Sequence, residues 1–403
     1  MASKFSLNQI NAMKHILYTL SFILLWNISF GQDSLLIKIA GEHVKSFQVS
    51  DHKYSGEGWE FILDEVEKSQ HFLVGEDHFS NEIPDFIKAI GSKSRFDNFF
   101  IEVDPYTTQL IEDSFTKMSP EERVEFTERY SKYYSFYALK PEFELLEYFM
   151  ESGINLLGSD QIIMYGEQLL FPQLKAMNSN PEVKTFYDTI IHRSELQLEK
   201  FFEDTSNPMY FITPAFTEDL DKLKTMNISD TEQEIIDNME QSIEIYQKLS
   251  HSIRVKLIIR QLMDEYEVWK DSRTLFKYGA NHLMRGESLL TVYDIGNVVA
   301  NITEAYGEQS LHLMIVGQSG MLGSPFKGFP SQKVDKENGF YLSFLKPFFP
   351  LTAGNDWYVF DLRPIRKALN RRKVEIDNLS LKRVIKGYDL LVIIPEVTPA
   401  GFE

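Results

Sequence analysis

Two segments of this chain of 403 residues place a histidine three positions after a glycine, and in both a short, mostly apolar run comes first. Segment 75–78 reads Gly-Glu-Asp-His after the run 71–74, and segment 279–282 reads Gly-Ala-Asn-His after the run 275–278. Such runs, when glycine ends them, are typical of buried strands. Because the carboxyl ends of parallel strands gather ligands and catalytic groups, we expect the two imidazoles to converge at one edge of a sheet. Either segment alone is equally compatible with a solvent-exposed turn.

Carboxylates accompany both histidines. Glu76 lies two residues before His78, and Glu102 interrupts the apolar run 99–103. A buried carboxylate without a partner is costly, so Glu102 requires a histidine or a metal ion at a neighbouring strand end, unless it lies on an edge strand and faces water. Groups of these types can act as a general base, a general acid or metal ligands. The predicted site consists of Glu76, His78, Glu102 and His282.

Other residues near these segments are weaker candidates. Asp160 follows the run 154–157 and is either a site residue or a helix N-cap. Asn281 and Arg285 flank the second histidine, and we predict that they bind substrate, although a surface ion pair would explain Arg285 equally well. The aromatic residues of segment 130–137 either line a substrate cleft or pack on the core.

Signatures of several other enzyme classes are absent from the sequence. Segment 317–320 reads Gly-Gln-Ser-Gly, but Met321 stands where the nucleophile elbow of serine hydrolases has its closing glycine. The chain contains neither a His-Glu-x-x-His zinc motif nor a phosphate-binding Gly-x-x-x-x-Gly-Lys loop. A serine nucleophile and nucleotide chemistry are therefore not favoured.

The elements that must position the site alternate between strands and helices. Short buried runs end in Gly or Pro, and amphipathic helical patterns separate the first of them, as at 84–90 and 141–152. This alternation predicts an α/β fold with a mainly parallel central sheet and flanking helices. Residues 165–272 carry long acidic, amphipathic segments and predict a large helical insertion or cap. We interpret residues 32–403 as a single α/β domain.

The first 31 residues have the pattern of a signal peptide. A basic residue, Lys14, precedes an apolar run at 16–26 that is too short to span a bilayer, and a small residue and a polar stretch follow. The alternative is a membrane anchor that stays uncleaved. We predict export to the periplasm or the cell exterior, with no stable membrane span after cleavage.

The net charge and the lack of cysteine limit the classes of binding partner and of chemistry that the protein can have. The net charge is −18, which argues against nucleic acid and anionic membranes as partners. The chain has no cysteine, so disulfides, a thiol nucleophile and thiolate metal ligands are excluded. We expect a small-molecule or peptide substrate.

The paired Gly-x-x-His segments, with a strand glutamate about two dozen residues after the first, resemble the Tiki/TraB, ChaN-like and erythromycin-esterase superfamily. The segment 101–104 (Ile-Glu-Val-Asp) is similar to the Glu-Leu-Asp segment of that superfamily, and Gly296 and the closing run 389–395 also fit the esterase-like pattern. The sequence departs from the erythromycin esterases in having Glu-x-His rather than Glu-x-x-His, which argues against antibiotic hydrolysis. It also lacks a histidine that often precedes the asparagine of the second motif.

The resemblance implies two mechanisms. Tiki-like proteins are metal-dependent proteases, which would make His78, His282 and Glu102 ligands of a divalent metal (Mn, Co or Zn). Erythromycin esterases use a histidine base, which would make His78 the base, oriented by Glu76 or Glu102, and His282 an electrophilic or proton-donating partner. Both mechanisms make the protein a hydrolase of ester or amide bonds. The alternative is a non-catalytic protein that binds haem or iron, or acts in signalling, on the same scaffold.

Overall fold

The computed structural model describes residues 34–335 and 343–402, and the signal peptide predicted for residues 1–31 lies outside them. In chain order the strands are β1 (Val44–Ser50), β2 (Lys53–Ser55), β3 (His71–Glu76), β4 (Asn98–Ile101), β5 (Asn155–Gly158), β6 (Thr274–Gly279), β7 (Ser310–Gly317), β8 (Met321–Leu322), β9 (Gln332–Lys333), β10 (Trp357–Asp361) and β11 (Leu390–Ile394). Strands β8 and β9 pair with each other, and the other nine form one sheet in the order β2-β1-β10-β11-β7-β3-β6-β4-β5.

Six neighbouring strands of the large sheet, from β11 to β5, are parallel. The middle strands β3, β6 and β7 are buried along their whole length. Strands covered on both faces favour near-continuous apolar runs, which is why these runs were recognisable in the sequence. The predicted α/β fold with a mainly parallel central sheet is confirmed.

The other edge of the sheet was not predicted. Strands β10, β1 and β2 extend it in antiparallel orientation beyond β11. In β1 buried and exposed residues are interspersed, and only Phe47 is fully buried. Because β1 is this polar, it lacks the apolar run by which the parallel strands were recognised in the sequence.

The helices of the described residues are α1 (34–42), α2 (Glu57–Glu67), α3 (Glu82–Gly91), α4 (Pro105–Thr116), α5 (Pro120–Tyr130), α6 (Lys140–Glu151), α7 (Glu167–Met177), α8 (Pro181–Glu203), α9 (Pro214–Lys224), α10 (Asp230–Lys248), α11 (His251–Asp264), α12 (Tyr266–Trp269), α13 (Ile295–Ala305), α14 (Arg363–Asn370) and α15 (Leu379–Gly387). None of them is long and apolar enough to cross a bilayer.

Helices α7 to α12 fill the segment predicted as a helical insertion. Helix α10 begins with a capping box, in which the Ser229 hydroxyl accepts a hydrogen bond from the Glu232 amide and the Glu232 carboxylate accepts one from the Ser229 amide. Buried apolar residues of α7 to α10, among them Phe171, Phe216 and Met239, form a hydrophobic cluster separate from the main core. Helix α11 joins the main core instead, through Ile258 and Leu262. It thereby connects the helical layer to the sheet.

Candidate functional site

The two histidine segments meet at the carboxyl edge of the parallel strands. Strand β6 lies between β3 and β4, and Glu76 at the end of β3 is paired in register with Gly279 at the end of β6. Glu102 follows Ile101, the last residue of β4. Three adjacent strand ends therefore bring Glu76, Glu102 and the segment 279–282 together.

Glu102 is the centre of the cluster and is only 4% exposed. Its Oε2 accepts a hydrogen bond of 2.7 Å from the Gly279 amide, and its Oε1 accepts one of 2.7 Å from Arg254. The Nε2 atom of His78 lies 3.5 Å from Oε2, and that of His282 lies 3.4 Å from Oε1. Burial alone would raise the pKa of Glu102, but the charges of His282, His78 and Arg254 lower it to about 2. The carboxylate is thus ionised and lies between two imidazoles.

His78 is the more accessible histidine, with 22% of its side chain exposed. Its Nδ1 lies 2.7 Å from Glu76 Oε1, and its ring stacks on Phe136 with centroids 4.2 Å apart. Burial lowers the pKa of His78, but the hydrogen bond to Glu76 and the charge of Glu102 outweigh it and raise the pKa above its usual value. Because an ionised Glu76 can only accept, it fixes the proton on Nδ1 and leaves Nε2 as the free position.

His282 is buried, with 4% of its side chain exposed, and a second carboxylate orients it. Its Nδ1 lies 2.8 Å from Asp294 Oδ2, while Asp294 also caps helix α13 through the Ile295 amide. Burial opposes protonation, yet the charges of Glu102 and Asp294 raise the pKa of His282. The two histidines therefore share a central carboxylate, and each has a carboxylate of its own at Nδ1.

A buried lysine, not singled out from the sequence, supports Glu76. The Nζ atom of Lys277 donates to Glu76 at 2.6 Å and to Glu142 of helix α6 at 2.8 Å. Burial would raise the pKa of Glu76, but Lys277 and His78 hold it below its usual value. Burial raises the pKa of Glu142 to about 7. Lys277 stands within an apolar run, the same signal that identified Glu102, so it was recognisable.

Arg254 is the second residue that sequence reasoning missed. It lies on α11 of the helical layer and pairs with Glu102 and with both oxygens of Asp160, at 2.7 to 2.8 Å. Asp160 is therefore the ion-pair partner of Arg254 and contacts the site through it. A sequence pattern gives no indication that a helix more than 90 residues after Asp160 returns to this strand end.

The two predicted substrate-binding residues differ in position. The side-chain oxygen of Asn281, the residue before His282, is buried and has no hydrogen-bond partner among the described residues. The guanidinium of Arg285 instead pairs with Asp389 at 2.6 Å and with Ser310, which are residues at the amino ends of their strands. Arg285 is thus directed away from the two histidines, and its substrate-binding role stays a prediction. The ion pair with Asp389 accounts for Arg285, in line with the alternative interpretation of this residue.

The aromatic segment 130–137 contributes side chains both to the core and to the surroundings of His78 and a cavity. Tyr130, Tyr134 and Tyr137 are buried in the main core. Phe136 contacts the imidazole of His78, and Tyr133 lines a cavity described below.

The donor set does not fit a metal centre well. In residues 34–335 and 343–402, no group of three or more His, Asp or Glu residues is arranged to hold a metal ion. Glu102, the carboxylate between the imidazoles, already binds Arg254 and the Gly279 amide. An adjacent guanidinium disfavours a second cation at the same carboxylate. A metal at His78, His282 and Glu102 therefore stays a prediction, as does haem.

Comparisons with known proteins place the fold. No family profile and no curated protein matches the chain. A Bacillus cereus protein of known structure is 16% identical over 92% of this chain and 99% of its own, with a TM-score of 0.52. An erythromycin esterase, solved as a mutant in its open conformation, is 13% identical over 89% of this chain and 98% of its own, with a TM-score of 0.53. ChaN of Campylobacter jejuni, solved with cofacial heme, is 11% identical with a TM-score of 0.33, too low to carry an argument. These similarities show a fold shared with an erythromycin esterase and nothing finer.

Proposed function

We propose that the protein hydrolyses an ester or amide bond with His78 as general base. The observation that carries this is the convergence of His78 and His282 on opposite oxygens of Glu102, with the Nδ1 atom of each imidazole fixed by its own carboxylate. Two histidines that meet at one edge of the sheet and differ in exposure can divide the work of base and acid between them. The fold shared with an erythromycin esterase supports the same reaction class.

The difference in exposure between His78 and His282 is the basis for assigning the roles of base and hydrogen-bond donor. His78 is partly exposed, so its Nε2 can take a proton from a water molecule while Glu76 holds Nδ1–H. The oxygen of that water attacks the carbonyl carbon, and the bond from this carbon to the leaving oxygen or nitrogen breaks as Nε2 of His78 returns the proton to the leaving atom. His282 is buried between Glu102 and Asp294, which favour its cationic form, so its Nε2–H serves as hydrogen-bond donor to the carbonyl oxygen. In this proposal Asn281 positions the substrate, and the support for it is that its side-chain oxygen has no hydrogen-bond partner among the described residues.

The test is a panel of p-nitrophenyl esters and short peptides with the purified protein. We expect His78→Asn and His282→Asn to lower kcat/KM by roughly 10²- to 10⁴-fold, the usual contribution of a positioned acid or base. His52→Asn is the matched control, because His52 is an exposed histidine that pairs with Asp85. Activity that survives both site variants would overturn the proposal.

Chelation separates the two mechanisms that the sequence left open. With the base mechanism, prolonged dialysis against a chelator leaves hydrolysis unchanged. Loss of activity that Mn²⁺, Co²⁺ or Zn²⁺ restores would assign the same residues to a metal. Haem or iron binding, the non-catalytic alternative, stays a prediction that the absorbance spectrum and iron content of the purified protein test directly.

A further inference from the structure

An apolar cleft in two parts adjoins the histidine cluster. The inner chamber, about 230 Å³, is lined mainly by aromatic and apolar side chains, among them Phe79, Phe136, Met164, Tyr165, Tyr246 and Phe326. The outer chamber, about 510 Å³, shares Tyr165, Pro325 and Phe326 with it and extends to Tyr133, Leu198 and Phe202. Tyr165 and Phe326 line both chambers and their rings meet edge to face at 5.7 Å, so this pair, here called the neck, stands at the common boundary of the chambers.

The inner chamber lies next to His78 of the proposed catalytic site. Phe79 and Phe136 line the chamber, and both contact the imidazole of His78. On another side the chamber is bounded by Tyr246, which lies close enough to Asp160 and Arg254 to feel their charges. The chamber is therefore bordered by groups next to His78 and Arg254, two of the three charged partners of Glu102.

Backbone strain coincides with this aromatic lining. Phe79 has φ 75° and Ser135, which precedes Phe136, has φ 57°. A positive φ is a true outlier for a bulky residue such as Phe and uncommon for Ser. Strained residues persist where the surroundings enforce them, and they cluster at ligand sites. Both outliers here hold an aromatic ring against His78.

We propose that the inner chamber binds an unbranched or single-ring apolar group of the substrate, and that the Tyr165–Phe326 neck sets the length accepted. A cavity of about 230 Å³ is below the roughly 300 to 1,000 Å³ of sites for drug-sized ligands, so it suits a chain or one ring rather than a macrocycle. Groups longer than the chamber must pass the neck into the outer chamber. This inference rests on the proposed hydrolysis for its meaning as substrate specificity, but the binding itself does not depend on catalysis.

The binding arm of the test uses carboxylates, the expected products. Isothermal titration of butyrate, octanoate and dodecanoate is carried out on His78→Asn protein, so that no turnover intervenes. We expect octanoate to bind at least tenfold more tightly than butyrate, because the longer chain buries more apolar surface. Met164→Trp, which places a large ring in the inner chamber, is expected to abolish this preference.

The specificity arm uses p-nitrophenyl esters of the same three chain lengths on the active protein. Phe326→Ala opens the neck and is expected to raise kcat/KM for the dodecanoate ester relative to the butyrate ester by about tenfold. Phe329→Ala is the control, since Phe329 contacts Phe326 but lines neither chamber. Thermal unfolding checks that each variant is folded.

The outcomes separate the two proposals. Chain-length-dependent binding that Met164→Trp abolishes, without hydrolysis of any ester, overturns the proposed function and leaves this inference standing. Hydrolysis with equal affinity for all three carboxylates, or an unchanged preference in Phe326→Ala, overturns the inference and leaves the proposed function standing.

Discussion

Each imidazole of the site is held by its own carboxylate, so the roles of the two histidines depend on residues that need not touch the substrate. Glu76 and Asp294 occupy equivalent places, at the Nδ1 atoms of His78 and His282. Asp294 is fully buried, and its other oxygen accepts the Ile295 amide at the start of α13. A carboxylate so fixed stabilises the imidazolium form of His282.

Asp294→Asn tests this positioning role. The amide can still cap α13 through its oxygen, but its NH₂ group now donates to Nδ1 of His282 and no longer favours the cation. We expect kcat to fall by roughly 10²-fold with little change in KM, because the interaction lost is one made with the transition state. Steady-state kinetics measure this, with the exposed Asp51→Asn as control. A rise in KM alone would place Asp294 in substrate binding instead.

The effect of Glu142 on the stability of the folded protein depends on pH. Burial raises its pKa to about 7, whereas the unfolded chain releases the same proton near 4.5. The folded state therefore binds more protons than the unfolded state between these values, and stability falls as pH rises from about 4.5 to about 7. One of its oxygens has no hydrogen-bond partner among the described residues, in keeping with a carboxyl that is easily protonated.

Glu142→Gln removes this dependence while keeping an acceptor for Lys277. At each pH we compare the unfolding free energy of the variant with that of the unsubstituted protein. This difference is expected to favour the variant by about 1 to 3 kcal/mol more at pH 8 than at pH 5. Urea unfolding at both pH values measures the gain. Glu144→Gln, a change on the exposed part of the same helix, is the control. The same stability difference at both pH values would show that Glu142 is ionised throughout.

At the scale of elements, the strand ends bring the catalytic side chains within reach only because glycine stands at two of them. A Cβ atom at Gly75 would lie 3.0 Å from the Ala280 backbone and still closer to the ring of Tyr388, so any side chain there disturbs the sheet. A Cβ at Gly279 would lie 2.7 Å from Nε2 of His78, the end of a side chain. Gly75 is therefore required for the packing of the sheet, and Gly279 is required for the close approach of His78.

Gly279→Ala therefore separates catalysis from folding. The methyl group displaces the His78 imidazole from Glu102, and a misplacement on the order of 1 Å costs about 10²-fold in rate. We expect kcat/KM to fall by about this factor while the melting temperature changes by only a few degrees. Gly401→Ala is the control, since a Cβ there meets nothing within 4 Å. Full activity in Gly279→Ala would show that the approach of His78 to β6 is not needed.

The elements also show what the sequence could reveal. The runs 71–74 and 275–278 correspond to strands β3 and β6 within two residues at either end, because buried parallel strands are apolar throughout. The antiparallel strand β10 was missed because neither Gly nor Pro directly follows its run, and a short run does not encode the direction of a strand. Arg254 was missed because it lies in an amphipathic helix, and only the path of the whole helical layer brings it to Glu102.

At the scale of the whole molecule, buried ionic clusters lie at both edges of the parallel sheet. At the carboxyl edge Glu102 pairs with Arg254 and lies between the imidazoles. At the amino edge Asp389 pairs with Arg285 and Arg366 at 2.6 Å and accepts the His312 amide. Burial would raise the pKa of Asp389, but Arg285, His312 and Arg366 lower it to about 2. The protein therefore relies on ionised carboxylates on two sides of one core.

Acid should unfold the protein through these carboxylates. Glu102 and Asp389 have folded pKa values of about 2 and usual values of 4.5 and 3.8, so their contribution is complete above the usual values and is lost as pH falls towards 2. Asp389→Asn is expected to lower the unfolding free energy at pH 6 by roughly 3 kcal/mol, because it leaves Arg285 and Arg366 without their partner. The difference from the unsubstituted protein should shrink as pH falls from 4 to 2, since protonation removes the same charge there. Urea unfolding across this pH range tests the prediction. The control is Asp377→Asn, because Asp377 is an exposed carboxylate in the segment between helices α14 and α15. A difference that stays constant with pH would mean that packing, rather than the charge of Asp389, stabilises the amino edge.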